Sequence, residues 1–383
     1  MYGKDLRLLI PAACSRTYLN TGTLGPTPTT ALAAAAASEM EWEESGPGHP
    51  QNYVNARDMG RQFAKRIEQR WPGGTVSLTE NNSMALMRVL WGIPFAPDDE
   101  IITTTHEHDA VVLALVGLAK RFDLRIRVVD ADRPQGLIAG VMEVLGPKTR
   151  LVVISHVSYL TGWEFPINDV RHLLDKYPRC ELLVDGAQAL GNIVVDPERL
   201  GAHYYVFCGH KWMLAPAGWA GLWVRNECLA HLASAWPSLS SVPPGISWWQ
   251  MDQWPKAQGG ESLEYGTRSW PRVAGWSVTW DYFEEEGFVH HASYQQGLAQ
   301  AARDRLKRMP GIELIEPYDR SYRQTSLMTV RGPSHEKLVQ TLWEQEVVVK
   351  AVPSYQGIRI AWAIFNTLED VQRLESVLVG LAR

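Results

Sequence analysis

The sequence is poor in cysteine, with four in 383 residues: Cys14, Cys180, Cys208 and Cys228. So few and so scattered, they exclude a disulfide-stapled scaffold, and the lack of any CxxC pair removes the usual zinc signature. None follows Cys228. An excess of charge of one sign is also missing: Lys+Arg is 37 and Asp+Glu is 42, for a net charge of −5. Such a balance provides no polycationic surface, so nucleic acid is not expected as a partner. No apolar run approaches the roughly 20 residues of a bilayer-spanning helix, so no membrane association is expected. The apolar stretch Leu6 to Cys14 is short, follows Lys4 and Asp5 and lacks a clear cleavage site, which argues against a secretory leader. A reducing, cytoplasmic setting is the simplest expectation. There is no internal repeat, and the single low-complexity tract, Ala31 to Ala37, reads as helix.

What is present is enough apolar residue, 45%, to bury a sizeable core. At roughly 150 residues per domain the length suggests two or three units. Short β-branched runs alternate with helical patterns: strands at Glu100–Thr105, Leu124–Val129, Leu151–Ser155, Glu181–Asp185 and Tyr204–Phe207, helices at Asp109–Phe122 and Ile167–Lys176. That alternation predicts an α/β fold, a mostly parallel sheet flanked by helices, with ligands at the carboxyl ends of its strands. From Ser234 to Gly260 the pattern degrades into a long Pro-, Gly-, Ser- and Trp-rich loop. Helical periodicity returns from Val273 to Arg308. A compact α+β pattern follows, with strands at Gly311–Ile315, Ser326–Val330, Val347–Val352 and Gly357–Trp362. Helices are expected at His335–Gln345 and Thr367–Ala382. The predicted division is a segment 1–20 packing near the small domain, a large cofactor-binding domain 21–265 and a small C-terminal domain 266–383.

Three strand ends carry unusual residues. Val184-Asp185-Gly186-Ala187-Gln188 closes an apolar strand with a carboxylate. Phe207-Cys208-Gly209-His210-Lys211-Trp212 delivers a lysine beside a histidine. Thr105-His106-Glu107-His108 follows a third strand. One carboxylate, one lysine and one imidazole at such positions match what pyridoxal phosphate (PLP) needs: a Schiff-base lysine, a partner for the pyridine nitrogen and a ring to pack on its face. A phosphate anchor is expected at a helix N-terminus. Leu78 to Ala85, with Asn82 and Ser83, precedes the helical pattern Ala85–Trp91 and fits.

At this point the chain resembles the class V aminotransferase-like, fold-type I PLP enzymes over nearly its whole length. Tyr18-Leu-Asn-Thr21-Gly22 with Gly25-Pro26 is similar to the family's opening, and Thr21 and Gly22 are then implied as substrate-binding. Glu107-His108 resembles its ring-stacking motif, and Asp185 to Gln188 its cofactor-nitrogen motif, with Gln188 near the phenolic oxygen. Gly209 to Trp212 resembles the Schiff-base motif, with His210 near the phosphate. Gly266-Thr267 resembles a segment that reaches a neighbouring subunit's phosphate, which implies a homodimer. Gly357-Ile-Arg359-Ile resembles the segment whose arginine grips the substrate α-carboxylate. The subfamily most resembled is the cysteine/cystine C–S lyases. One departure is Leu160, where the resemblance places an asparagine close to cofactor and substrate.

Each residue also has a structural reading. Asp185 and Ser83 suit helix caps, and His106 and His108 suit a structural turn. No further ligand cluster lies near them, so no metal is expected. Lys350 and Arg323 are candidates for holding a second polar group, with solvated surface charge preferred for both. Ten of the sixteen tryptophans lie between Trp212 and Trp280; they suit core and interface packing, or, at Trp248 and Trp249, the wall of a substrate pocket. The resemblance implies α,β-elimination from a cysteine-derived substrate to pyruvate, ammonia and a thiol or persulfide. The alternative is another Cα reaction: transamination, epimerisation or decarboxylative deamination. Cysteine desulfuration needs a thiol from the C-terminal part of the chain, where none exists. A scaffold without catalysis is opposed by the intact Lys211 and Asp185.

Overall fold

The computed structural model describes residues 3–243, 258–332 and 334–381. Seven strands form a central sheet in the spatial order Gly74–Thr79, Ala220–Arg225, Tyr204–Cys208, Glu181–Asp185, Thr149–Ser155, Glu100–Thr104, Arg125–Val129. Ala220–Arg225 runs antiparallel to both neighbours, and the other pairings are parallel. The middle strands are buried along their whole length, as a sheet covered on both faces requires. Successive side chains point to opposite faces. Val152, Ile154 and Val184 accordingly join one hydrophobic cluster, whereas Leu151, Val153 and Leu183 join another.

Helices cover both clusters. On one face Phe63 and Ile67 of Pro50–Arg70 pack with Trp276 and Trp280 of Arg272–Glu286. On the other, Val111, Leu115 and Leu118 form the apolar stripe of Asp109–Phe122. A second, four-stranded sheet is antiparallel throughout, in the order Glu313–Leu314, Leu327–Arg331, Gly357–Ala361, Lys350–Val352. It has its own core, including Met328, Ile358, Ile360, Leu298 and Leu374. The N-terminal residues join this part: Thr17–Tyr18 pairs in parallel with Val347–Val348, and the Gly3 N–H donates to the Ile364 carbonyl at 2.7 Å.

The α/β architecture with helices on both faces of a mostly parallel sheet is the predicted one. Some elements differ. The stretch 273–308 is two helices, Arg272–Glu286 and Phe288–Leu306, because Gly287 breaks the run at φ 89°. The run 347–352 splits because its first half pairs with the N-terminal strand and its second half with Gly357–Ala361. Between Ser234 and Gly260 a short 3₁₀ turn forms at Leu239–Ser241; Trp248 and Trp249 lie outside the described residues.

Candidate active site

The carboxyl ends of the central strands meet the antiparallel sheet around one cavity of about 280 Å³. Nine of the anticipated residues line it: Gly22, Asn82, Ser83, His108, Asp185, Gln188, His210, Lys211 and Arg359. Two do not. Thr21 is wholly buried, and its hydroxyl has no partner among the described residues; it lies in a tight turn closed by the Thr23 N–H donating to the Asn20 carbonyl at 2.9 Å, which turns its side chain into the interior. Its successors Gly22 and Thr23 reach the cavity instead. Thr267 is exposed and outside the lining.

Asp185 ends its strand with Oδ1 accepting from Asn82 Nδ2 (2.8 Å) and from the Ala187 N–H (2.9 Å). Its Oδ2 takes no partner among the described residues. The helix expected from Ala85 begins at Asn82, because Asn81 caps it by accepting from the Met84 N–H at 2.9 Å. The Asn82 and Ser83 amides therefore fall in the first turn, where no intrahelical acceptor exists. Gln188 is fixed at both ends of its amide: Nε2 donates to the Gly22 carbonyl (2.7 Å), and Oε1 accepts from Trp212 Nε1 (2.8 Å). Trp212 thus serves the site from the core.

Lys211 sits in a tight loop after its strand. The Leu214 N–H donates back to the Lys211 carbonyl (3.1 Å), and Leu214 takes φ 58°, uncommon for a residue with a side chain. The N-terminal segment closes over it, with the Gly25 N–H donating to the His210 carbonyl at 2.8 Å. A Cβ at Gly25 would lie 2.0 Å from the Lys211 carbonyl oxygen, so only glycine fits.

The histidines are held neutral. Burial, reinforced by Lys211, pushes His210 down to about 4 and lowers His108 as well. His108 accepts from the Ala110 N–H (3.2 Å), capping its helix, and lies edge-on to Tyr159 with centroids 5.0 Å apart. Beneath them Glu107 is fully buried. It accepts from Thr104 Oγ1 (2.7 Å), the Ser155 N–H (3.0 Å) and Ser155 Oγ (2.7 Å), yet burial still raises its carboxyl to about 7.

Arg359 is 3% exposed and has no carboxylate within ion-pair distance among the described residues. Its guanidinium donates to the Tyr159 carbonyl (2.8 Å) and to Thr23 Oγ1 (2.7 Å), and desolvation lowers its pKa to about 10. Thr23, Ser155 and Tyr159 are lining residues that the motifs did not mark; Thr23 was adjacent to a recognised glycine. Leu160 is absent from the lining and turns its carbonyl to Thr329 Oγ1. Lys350 lines the cavity, contrary to its expected role as free surface charge, because its strand runs beside that of Arg359. Arg323 is a surface residue paired with Glu164. Away from the cavity, Glu181, Cys228 and His231 bring ligand atoms within 4.8 Å of one another. The Glu181 oxygens there are already engaged by Arg150, Tyr204 and His231.

The lining fits PLP. Among the described residues Asn82 Oδ1 and His210 Nδ1 are buried without a hydrogen-bond partner, and Asp185, which lines the cavity and engages its Oδ1 with Asn82 and Ala187, has Oδ2 left to face a ring nitrogen. Lys211 would hold the aldehyde carbon and the first turn at Asn82–Ser83 the phosphate.

Comparisons with known proteins agree. The family model of aminotransferase class-V matches residues 74–374. A probable cysteine desulfurase of Mycolicibacterium paratuberculosis is 27% identical over 297 residues, 73% of this chain but only 42% of that protein's length. A cysteine desulfurase of Salmonella choleraesuis is 29% identical over 304 residues, 74% of this chain and 71% of its own. The cystine C–S lyase C-DES, solved with its reaction product cysteine persulfide, is 26% identical with a TM-score of 0.88, covering 97% of this chain and 99% of that one. A C-DES mutant with glycine covalently linked to its PLP cofactor gives a TM-score of 0.89 at 26% identity, over 97% and 98% of the two chains. The family match takes in all the strand ends that build the cavity, and this chain belongs to the aminotransferase class-V family and is a pyridoxal-phosphate enzyme.

Proposed function

We propose that the enzyme is a PLP-dependent carbon–sulfur lyase that cleaves the Cβ–S bond of cystine or another S-substituted cysteine by α,β-elimination. The products are pyruvate, ammonia and a thiol or, from cystine, a persulfide. The observation that carries this reading is a cavity joining Lys211, Asp185 and a carboxylate-free Arg359, to which the described residues contribute no thiol. Similarity to C-DES points the same way.

The roles follow from position. Arg359 is the clamp for the substrate α-carboxylate, since a planar guanidinium matches a carboxylate bidentately. Lys211 Nζ, once released by the substrate amine, takes the Cα proton. Asp185 Oδ2 would hold a proton on the ring nitrogen of bound PLP, whose chemistry would be to serve as an electron sink for the pair left on Cα. The Cα–H pair becomes the Cα=Cβ bond, and the Cβ–S pair departs with sulfur. The three-carbon product then takes up water and releases ammonia.

A cytoplasmic homodimer belongs to the same reading. Support comes from the exposed Gly266–Thr267 segment and from the exposed apolar residues Leu24, Leu32 and Met40. The four cysteines are free thiols.

The test is purified holoenzyme with cystine, cysteine and S-substituted cysteines, following pyruvate, thiol and alanine. Pyruvate in step with thiol is expected. Alanine in place of pyruvate, or no product from any sulfur substrate, overturns the lyase reading. Lys211→Ala should lose the absorbance band of lysine-bound cofactor and at least about 10³-fold in kcat.

A further inference from the structure

His106 lies two residues beyond the strand Glu100–Thr104, is 1% exposed and does not reach the cavity. Its ring joins segments that are far apart in the chain. It stacks on Trp163 with centroids 5.5 Å apart and meets Phe165 and Tyr355 edge-on. Nδ1 is 2.8 Å from Ser158 Oγ, and Nε2 is 3.0 Å from the Tyr355 hydroxyl and 3.2 Å from Asp132 Oδ1. The proton positions follow by elimination. Ser158 Oγ already accepts from the Leu160 and Thr161 N–H groups (3.1 and 3.2 Å), so its one proton goes to Nδ1. The ring proton then sits on Nε2, facing Tyr355 and Asp132, and the Tyr355 hydroxyl donates to Asp132 at 2.7 Å. This is no nucleophilic triad: Ser158 is wholly buried, and it meets Nδ1 where a triad serine meets Nε2.

The network reaches Arg359 from two sides. Ser158 opens the turn 158–162, closed by the Gly162 N–H donating to the Ser158 carbonyl at 2.9 Å. The next carbonyl in that turn, Tyr159, accepts from Arg359 Nη1. Tyr355 stands four residues before Arg359, on the segment entering its strand Gly357–Ala361. With only the Tyr159 carbonyl and Thr23 Oγ1 as acceptors, the guanidinium is aimed by where those oxygens stand. We propose that His106 is a positioning residue for Arg359. Through Ser158 it fixes the Tyr159 carbonyl, and through Tyr355 and Asp132 it pins the entry to the Arg359 strand, so that the guanidinium fork meets the substrate α-carboxylate in plane. This rests on the reading of Arg359 as the carboxylate clamp and deepens it.

The test compares calorimetric binding of S-methyl-L-cysteine and 2-(methylthio)ethylamine to Lys211→Ala holoenzyme. The two share amine and thioether and differ in the α-carboxylate, so the ratio of their dissociation constants reads the grip of Arg359. A ratio of about 10² is expected, falling close to one in Arg359→Met. Tyr355→Phe keeps the ring and should cut the ratio about fivefold; His106→Phe also releases Ser158 and should cut it at least about tenfold, with the amine's own affinity within about twofold. His106→Asn, whose amide oxygen can accept from Ser158, should recover part of the loss. A ratio unchanged in both His106→Phe and Tyr355→Phe overturns the proposal. An equal loss on both compounds also overturns it, since His106 would then support the fold or the cofactor. If His106→Phe does not fold, Tyr355→Phe and Ser158→Ala decide by the same ratio. A ratio lowered in these variants supports the positioning role even if wild type releases no pyruvate, a result that sinks elimination alone. A parent ratio near one that Arg359→Met leaves unchanged removes the clamp and this proposal with it.

Discussion

Replacing Arg359 by methionine separates a residue kept for substrate from one kept for the fold. The guanidinium is buried without a carboxylate partner, and desolvation takes its pKa from 12.5 to about 10. That drop corresponds to about 3 kcal/mol against the charged form. The cost is fully present below pH 10 and is relieved only as pH rises from there towards the unfolded value. Two hydrogen bonds from the charged group, to the Tyr159 carbonyl and Thr23 Oγ1, return about 1.5–3 kcal/mol each. Together they return about 3–6 kcal/mol, so the balance favours the arginine by about 0–3 kcal/mol. Arg359→Met should therefore cost substrate-free stability no more than about 3 kcal/mol at pH 7–8. Breaking a satisfied buried ion pair would instead cost about 3–5 kcal/mol.

Activity should behave differently. A substrate carboxylate loses its bidentate partner, and kcat/KM should fall by about 10²–10⁴. Arg359→Lys restores charge but not the fork, so it recovers only part of the loss. The assays are urea midpoints at equal enzyme and cofactor concentration, and pyruvate release. A destabilisation above about 3 kcal/mol, or a loss in kcat/KM below tenfold, would refute the reasoning.

Asp185→Asn keeps an oxygen for Asn82 and Ala187 but removes the charge opposite the ring nitrogen; kcat should fall by about 10²–10⁴ with cofactor still bound, read from absorbance and pyruvate release. Retention of kcat within tenfold would count against that role. Glu107, with its carboxyl raised to about 7, contributes stability that is fully present below pH 4.5 and lost as pH rises through about 7. Urea midpoints of wild type should fall by the equivalent of about 3 kcal/mol across that window and level off above it; Glu107→Gln should show no such slope, and an identical slope in the variant would exclude Glu107 as its source.

The middle of the fold was legible because burial on both faces leaves a local mark. Leu151–Ser155 and Glu181–Asp185 read as strands from their own composition, and the polar residues that close them stood out for the same reason. Gly74–Thr79 and Ala220–Arg225 did not, since their glycines dilute the apolar run and their antiparallel pairing follows no alternation of strand and helix. The helix start at Asn82 could have been found from the Asn81 cap three residues before Met84. Other site features depend on contacts between distant segments. Thr23 enters because Gly25 lets the N-terminal segment close on His210 and Lys211, and Thr21 is kept out by the turn at Asn20–Thr23. Lys350 read as surface charge because a lone lysine carries no trace of its cross-strand neighbour.

Desulfuration and elimination share a cofactor and differ in where sulfur goes, so the placement of thiols decides between them. Transfer to the enzyme needs a thiolate that can approach Cβ's sulfur. Cys14 is exposed on the N-terminal segment, outside the cavity lining. Cys180, Cys208 and Cys228 are buried, and burial pushes their thiols up to about 12, 11 and 12. At neutral pH even Cys208 is thiolate in only about one molecule in 10⁴. It is also fixed on a central strand, its thiol turned to the Ala187 carbonyl at 3.9 Å. The segment leading into Arg359 holds Lys350 and Tyr355 and no cysteine. The Tyr355 hydroxyl is committed to Asp132 (2.7 Å) and His106 (3.0 Å), tying that segment to the large sheet. Neither an ammonium nor a phenol can take up sulfur, so among the described residues around the cavity nothing stands ready to accept it, and the sulfur that leaves Cβ must go to water.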